Sequence, residues 1–193
     1  MQVETTDGIK GGFIAHFLRR LIHVSMIVVP ILYYYFLVSR FDVIDLHHVI
    51  VVCWFLIVVF EAIRMRYQFV FFTQRQNEAN RVSAASWTLF SLGMILIFSP
   101  SVGYSMPIIL SCALADPLLG EMRIYKKDKF ITWILGLILV LVIWLLAVKF
   151  YAIPLWLPFV MAPLTIAVER VKTKWIDDNA LMLLVPLLIV LFL

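Results

Sequence analysis

Long apolar runs fill most of this chain, and they constrain its fold more than any other feature of the sequence. The chain is 64% hydrophobic and only 15% charged, with a mean hydropathy of +1.02, and a soluble domain of 193 residues cannot hide that much apolar surface. Composition therefore excludes a soluble enzyme, a disordered protein and a nucleic-acid-binding module. It predicts an all-α integral membrane protein with one polytopic domain over residues 1–193.

Seven of these runs have the length, or nearly the length, of a membrane-spanning helix, which needs about 17–25 residues. The first run is long and no small-residue cleavage site follows it, so we expect a retained helix rather than a cleavable signal. The predicted spans are residues 21–38, 49–63, 84–99, 104–119, 130–150, 153–168 and 179–193.

The basic residues alternate with these spans. Fourteen of the 16 Lys and Arg residues fall before the first span or in every second connection after it, and the other two are Arg40 and Lys149. An excess of Lys and Arg marks the loops that stay in the cytoplasm. The alternation therefore predicts about seven spans, with the N-terminus in the cytoplasm and the C-terminus outside.

The longest connection, residues 64–83, mixes basic and aromatic residues before it turns polar. This pattern is typical of a helix that lies in the membrane interface, with aromatics at the acyl boundary and arginines near the headgroups. The alternative is that its first part continues the second span. We therefore expect either one interfacial helix between spans two and three or a longer second helix.

An acidic residue inside an apolar span is costly and is a functional candidate by default. Asp116 is such a residue, near the end of the fourth span, and the following Pro117 is expected to kink or end that helix. Small residues at Ala113 and Gly120 leave room for a ligand near the same face. The structural alternative is an ion pair between Asp116 and a basic neighbour such as Arg123.

Two further acidic segments lie on the same predicted face. Glu169 follows the sixth span, where the helix dipole disfavours a negative charge, and its structural alternative is a pair with a neighbour such as Arg170. Asp177-Asp178-Asn179 opens the last span; one of these residues suffices as a helix N-cap, and adjacent carboxylates can hold a divalent cation. With the basic residues on this face, the carboxylates predict a site for Mg²⁺ and a polyphosphate.

The basic connection after the fourth span supplies candidates for contacting phosphates as point charges, although setting the topology is an alternative for each of them. Its members are Arg123, Lys126, Lys127 and Lys129. Residues 8–12 do not form a Walker loop, since no Gly-Lys-Ser/Thr follows, so any nucleotide is held without a P-loop. Cys53 and Cys112 lie in apolar runs and are interpreted as buried hydrophobic residues.

Three segments add a further signal when they are taken together. The first is Arg19-Arg20-Leu21-Ile22-His23 before span one; the second is Ala115-Asp116 with Gly120 and the basic connection; the third is Glu169 followed by Asp177-Asp178-Asn179 and Pro186. In this order they resemble the polyprenol kinase family of membrane proteins, which comprises dolichol kinase, phytol kinase and the CTP-dependent diacylglycerol kinase of yeasts. That group is more distantly related to phosphatidate cytidylyltransferases.

The resemblance implies a kinase that transfers the terminal phosphate of CTP to an isoprenoid alcohol, of the polyprenol, dolichol or phytol type, at the cytoplasmic face. Under it, Asp116, Asp177 and Asp178 hold Mg²⁺, and Glu169 takes the hydroxyl proton, so that Glu169, Asp116 and Asp178 form the catalytic set. The residues expected to contact the nucleotide are Arg20, His23, Arg123, Lys126, Lys127, Lys172 and Asn179.

The chain departs from the family at Ser111-Cys112-Ala113, where the family has Gly-Asp-Gly, so Asp116 is the one acid left in that segment. Two alternatives therefore stay open: a cytidylyltransferase-like enzyme acting on a phospholipid, and a non-catalytic lipid-handling or transport protein. The expected partners are the lipid and the nucleotide, without nucleic acid, and a homodimer is compatible with this reading. The expected location is the inner or plasma membrane of a bacterium or archaeon, or the endoplasmic reticulum of a eukaryote.

Overall fold

The chain forms helices almost throughout. The structure, a computed structural model, describes residues 12–71, 79–125, 128–171, 173 and 175–193; of these residues 79% are helical and none is in a strand. This confirms the prediction of an all-helical chain. The helices are α1 (Gly12–Ser25), α2 (Val28–Ile31), which a π-helical segment (Leu32–Leu37) continues, α3 (Val43–Arg66), α4 (Ala84–Phe98), α5 (Val102–Ile124), α6 (Lys129–Phe150), α7 (Leu157–Glu169) and α8 (Asp178–Leu191).

Four helical stretches among the described residues are long and apolar enough to cross a membrane. They correspond to the predicted spans one, two, four and five, and they are Ile14–Leu37, Val43–Arg66, Val102–Ile124 and Lys129–Phe150. The predicted spans three, six and seven form the shorter apolar helices α4, α7 and α8, of 15, 13 and 14 residues. Several long apolar helices are the architecture of a membrane protein.

Helix α5 runs through both of its prolines. Pro107 and Pro117 lie inside the helix, which continues to Ile124, so the expectation that Pro117 ends it is wrong. A proline removes only its own hydrogen bond, here the one to the Ala113 carbonyl, and the neighbouring bonds carry the helix onward. As a result, the polar residues that follow Pro117 share one helix with Asp116.

Helix α5 is also the centre of the packing, because it contacts α1, α6, α7 and α8. Gly136 of α6 allows a close approach: a Cβ there would lie 2.8 Å from Leu119 Cδ2 and 3.1 Å from Ile166 Cδ1. Small residues let helix backbones come together where apolar surroundings supply no hydrophobic drive between helices. The buried core lies between α4, α5, α6, α7 and α8.

Tyrosines join the helices at the end of the bundle away from Asp116, which we name the tyrosine end. Tyr34 Oη lies 2.7 Å from Ser105 Oγ on α5, and Tyr35 Oη lies 3.0 Å from Tyr151 Oη after α6. Both tyrosines belong to the π-helical segment, where the Val38 amide donates to the carbonyl of Tyr33, five residues back, at 2.9 Å. The wider turn places two successive tyrosines against different neighbours.

A buried ion pair lies in the last two turns of α3. Arg64 Nη2 and Nε lie 2.7 and 3.0 Å from Glu61 Oε2, and both side chains are almost fully buried. The hydroxyls of Ser83 and Ser86 donate to Glu61 Oε1 at 2.7 and 2.6 Å, and Arg64 also donates to the Arg81 carbonyl. This network of contacts fixes the start of α4 to the end of α3.

The connection between α3 and α4 contains no helix in its described parts, residues 67–71 and 79–83. Helix α3 itself continues beyond residue 63 to Arg66, as the alternative of a longer second helix expects. Residues 72–78, which hold the polar part of the predicted interfacial helix, lie outside the described residues. The interfacial helix stays a prediction.

The Glu61→Ala variant should be destabilised, because it removes the carboxylate that the buried Arg64 guanidinium contacts. Loss of one partner of a buried ion pair costs about 3–5 kcal/mol. The measurement is thermal or denaturant unfolding in detergent micelles. The matched control is Asp45→Ala, which removes an exposed carboxylate from the first turn of α3; equal stability of the two variants would contradict this role of Glu61.

Candidate functional site

Helix α1 presents a polar face to the inside of the bundle. His16, Arg20 and His23 lie about one turn apart on that face and contact α5, whereas the apolar side chains of Ile14 and Phe17 are exposed. Polar residues of membrane helices face the bundle interior in this way. Helix α1 is therefore amphipathic, with its polar face towards α5 and its apolar face towards the surroundings of the bundle.

The polar face of α1 binds two carboxylates of α5. Arg20 Nη1 donates to Asp116 Oδ2 at 3.0 Å, and Arg20 Nε donates to Glu121 Oε1 at 3.4 Å. Each imidazole adds a contact at 3.5 Å, His23 Nε2 to Asp116 Oδ2 and His16 Nε2 to Glu121 Oε1. Ionic and polar contacts thus hold α1 on α5.

Gly120 provides the space in which the guanidinium lies. A Cβ at this position would overlap Arg20 Nη2 and would lie 2.7 Å from Arg20 Cζ. A side chain of any size would push the guanidinium away from α5. The space beside Gly120, which the sequence analysis assigned to a ligand, is therefore filled by the Arg20 side chain.

A second ion pair joins the end of α5 to the end of α7. Arg123 Nη1 lies 2.6 Å from Glu169 Oε1, and the Glu169 side chain is 6% exposed against 34% for Arg123. The carboxylates of Asp116 and Asp178 also interact electrostatically with Glu169. A buried carboxylate among other carboxylates needs this guanidinium to stay charged.

Helix α8 begins beside the middle of α5. Asp177 Oδ2 accepts from the Asn179 backbone amide at 3.3 Å and from Asn179 Nδ2 at 2.9 Å, and Asp178 Oδ1 accepts from the same backbone amide at 3.1 Å. The Cys112 thiol of α5 donates to the Asn179 carbonyl at 3.7 Å. The capping role that the sequence allows for this segment is therefore filled by Asp177.

The start of α8 lies well inside the bundle. About 18 Å of helix separates Cys112 from the last residue of α5, at a rise of 1.5 Å per residue. The carboxylates of Asp116, Asp177 and Asp178 all interact electrostatically with the Cys112 thiol. Asp177 and Asp178 are half-buried and Asn179 is buried, so α8 begins about one turn of α5 away from Asp116.

Oxygen atoms in this region suit a Mg²⁺ ion. Asn179 Oδ1 and Ser111 Oγ are buried and have no hydrogen-bond partner among the described residues, and the carboxylates of Asp116, Asp177 and Asp178 lie nearby. No group of three or more His, Cys, Asp or Glu that could hold a metal occurs in the described part of the chain. The donor set fits Mg²⁺ that arrives with phosphates, which needs only one or two protein carboxylates.

The pairings within the site differ from those expected. Asp116 pairs with Arg20 of α1 and not with Arg123, because Arg123 lies two turns further along α5 and reaches α7 instead. Glu169 accordingly pairs with Arg123 and not with Arg170. The structure joins Arg20 and His23 to Asp116, Arg123 to Glu169, and Asp177 and Asp178 to Asn179, whereas Lys126, Lys127 and Lys172 lie outside the described residues.

Sequence analysis missed two members of the site. Glu121 contacts both Arg20 and His16, and neither Glu121 nor His16 was a candidate. Helical periodicity could have found them, since Glu121 follows Asp116 by little more than one turn and His16 precedes Arg20 by one turn. That signal requires knowing that α5 continues past Pro117.

Comparison of the chain with protein families, curated proteins and solved structures gives no match. What the site can do therefore follows from its own residues. Carboxylates and a buried amide oxygen can bind a divalent cation, and guanidinium groups can bind phosphate oxygens. The arrangement as a whole is suited to a charged, phosphate-bearing ligand inside an apolar bundle.

The Arg123→Met variant should be destabilised, because the buried Glu169 loses the guanidinium that it contacts. Loss of one partner of a buried ion pair costs about 3–5 kcal/mol, and the partial exposure of Arg123 places the effect below that range. The deficit should shrink at acid pH, since a protonated Glu169 no longer needs a counter-charge. Unfolding midpoints at acid and at neutral pH, with the double variant Arg123→Met/Glu169→Gln as control, check this; a deficit independent of pH would contradict it.

Proposed function

We propose that this protein is a membrane lipid-alcohol kinase, which transfers the terminal phosphate of a nucleotide, CTP in the first place, to an isoprenoid alcohol at the cytoplasmic face. One observation carries the proposal: three segments that are distant in the sequence meet on α5. Arg20 and His23 contact Asp116, Glu169 contacts Arg123, and the start of α8 contacts Cys112. These are the segments that resemble the polyprenol kinases. Charged groups in an apolar bundle are costly, and where they occur they commonly mark a functional site.

The guanidinium groups of the site are suited to the phosphates of the nucleotide. Arg20 and Arg123 come from two helices and lie on either side of the Asp116 region. Phosphoryl transfer depends mainly on positioning and on neutralising charge. Lys126, Lys127 and Lys172, which the resemblance adds to this set, would complete the neutralisation.

The carboxylates of the site are suited to the metal. One or two of the carboxylates of Asp116, Asp177 and Asp178, with Asn179 Oδ1, would hold Mg²⁺, and the ion when bound would neutralise the charge of the transferred phosphoryl group. Asp116 is already paired with Arg20 through Oδ2, so Arg20 balances its charge before the nucleotide arrives. This leaves a region with both acidic and basic groups, as a nucleotide with its cation requires.

Transfer itself needs a group that accepts the hydroxyl proton. The oxygen of the alcohol forms a bond to the terminal phosphorus, the bond from that phosphorus to the bridging oxygen breaks, and CDP leaves. Glu169 takes the proton of the hydroxyl, and Arg123 orients its carboxylate. The buried position of Glu169, at the end of α7, keeps bulk water away from the reacting hydroxyl.

The acceptor would come from the lipid side of α1. The outward face of α1 is apolar, with Ile14, Phe17 and Leu21 exposed, and its inward face holds the polar site. A long apolar chain can lie along such a face while its hydroxyl end reaches the polar interior. A lipid with a small polar end fits this arrangement.

The membrane topology proposed here is that of the sequence: seven spans, the N-terminus in the cytoplasm and the C-terminus outside. The helices α7 and α8 are about 20 Å long, which is shorter than a hydrocarbon core of about 30 Å. Both end at the polar site, Glu169 closing α7 and Asp178 opening α8. Both helices can be this short if the polar site lies below the cytoplasmic surface of the membrane, because they then need to cross only the remaining thickness.

Cysteine labelling tests this topology in a variant that lacks Cys53 and Cys112. Phe41→Cys and Phe192→Cys, both at exposed positions, should react with a membrane-impermeant maleimide added to intact spheroplasts, whereas the exposed Tyr125→Cys should react only after lysis. Labelling of Phe41→Cys without Phe192→Cys would contradict seven spans. Labelling of Tyr125→Cys in intact spheroplasts would contradict the proposed orientation.

Nucleotide turnover tests the proposed activity. Purified protein in mixed micelles, given Mg²⁺, CTP or ATP, and a panel of isoprenoid alcohols and diacylglycerol, should release CDP from CTP with one class of alcohol. Asp178→Asn should lower the rate by about 100-fold, because it removes one charge that stabilises the bound phosphates and cation. Asp45→Asn, an exposed acid on α3, should leave the rate unchanged.

The products separate the proposal from its two alternatives. Pyrophosphate in place of CDP would identify a cytidylyltransferase acting on a phospholipid. No turnover and no nucleotide binding across the panel would leave the non-catalytic lipid-handling or transport protein. Either result would overturn the kinase.

A further inference from the structure

The guanidinium of Arg20 is held at two of its three nitrogens. Nη1 donates to Asp116 and Nε donates to Glu121, at 3.0 and 3.4 Å. The third nitrogen, Nη2, has no hydrogen-bond acceptor among the described residues. The two N–H donors of Nη2 are therefore left for a ligand.

Two contacts at different nitrogens fix more than one contact can. A single carboxylate leaves a guanidinium free to rotate about that bond, whereas carboxylates at Nη1 and at Nε determine the direction of its plane. Gly120 contributes the surface beneath, because Nη2 and Cζ lie where a Cβ would be. The orientation of Arg20 therefore depends on Asp116, Glu121 and Gly120 together.

Glu121 is itself placed by α1. The same oxygen, Oε1, that accepts from Arg20 lies 3.5 Å from His16 Nε2, and the His16 side chain is 12% exposed. The Glu121 side chain is 40% exposed, so water can solvate its carboxylate without an ion pair. An exposed ion pair of this kind contributes little to the stability of the fold. Its position is better explained by what it does to Arg20.

We propose that Glu121 is a positioning residue, which holds Arg20 so that the N–H donors of Nη2 meet a phosphoryl oxygen of the nucleotide. This rests on the proposed function, because it takes the phosphate-bearing ligand to be the nucleotide. A guanidinium binds phosphate best through paired, correctly oriented donors. Loss of Glu121 would leave the charge of Arg20 in place but would release its direction.

The first experiment separates binding from chemistry. Glu121→Ala should raise the Kd for Mg²⁺–CTP and its KM by roughly tenfold, the effect of one misplaced charge-assisted hydrogen bond, with a much smaller change in kcat. Glu121→Gln, which keeps an oxygen acceptor for Arg20 Nε, should recover part of the affinity. Asp45→Ala is the matched control for removing one exposed acid.

A double-mutant cycle with Arg20 shows whether Glu121 acts through it. In an Arg20→Lys background, where no planar group remains to be oriented, Glu121→Ala should leave the nucleotide affinity unchanged. Independent, additive losses would overturn the proposal. So would a Glu121→Ala variant with wild-type Kd and KM, or one whose only defect is a lower melting temperature.

A second variant tests the same orientation without touching a charge. Gly120→Ala should fold, since the overlapping atoms are the far end of the flexible Arg20 side chain, but it should weaken nucleotide binding to about the same extent as Glu121→Ala. Wild-type affinity in Gly120→Ala would count against the positioning. If the unaltered protein binds no Mg²⁺–CTP, the proposed function is contradicted. If it binds and turns over the nucleotide but the Glu121 and Gly120 variants do so equally well, only the positioning role of Glu121 is contradicted.

Discussion

A carboxylate in the apolar interior must have a positive partner, and in this protein that need decides which helices come together. Asp116 lies on α5, the helix on which the other core helices pack. Its partner Arg20 comes from α1, a helix on which His16 also contacts Glu121 of α5. Because burial makes an unpaired charge far more costly than a surface one, this pair determines where α1 lies. In this position α1 turns its apolar face to the outside of the bundle and its polar face to α5.

The same rule operates at the periphery with a different outcome. Helix α3 packs on α4 and leaves most of its apolar side chains exposed, as a lipid-facing helix would. Its polar pair, Glu61 with Arg64, is satisfied by serine hydroxyls and by a backbone carbonyl. A network in which the carboxylate and the guanidinium each have several partners rigidifies a join between elements. The Asp116 region differs because Asn179 Oδ1 and Ser111 Oγ have no hydrogen-bond partner in the part of the chain that the structure describes.

Much of the architecture could be predicted from apolar runs, because helix formation in such runs needs only local hydrogen bonds. The acids at Asp116, Glu169 and Asp178 could be selected as well, since their cost in apolar surroundings is visible in the sequence. The identity of their partners could not: sequence proximity favoured Arg123 for Asp116, whereas tertiary packing supplied Arg20. Glu121 was missed because Pro117 was expected to disturb the helix, and one lost hydrogen bond proved too small a penalty to end α5. Short helices at α7 and α8 also depend on where polar groups converge, which no single run of residues reveals.

The π-helical segment at Leu32–Leu37 has a consequence for how the two ends of the first long helix relate. A wider turn amounts to one residue more than an α-helix needs, and one residue corresponds to a rotation of about 100°. The extra residue uncouples the phase of the two halves: the α1 face carrying Arg20 is matched to the acids of α5, while Tyr34 and Tyr35 are matched separately to Ser105 and Tyr151. Insertions or deletions of a single residue at this point can be absorbed as a change of helix type. The segment therefore lets the face that carries Arg20 and the face that carries Tyr34 and Tyr35 take different rotations about the helix axis.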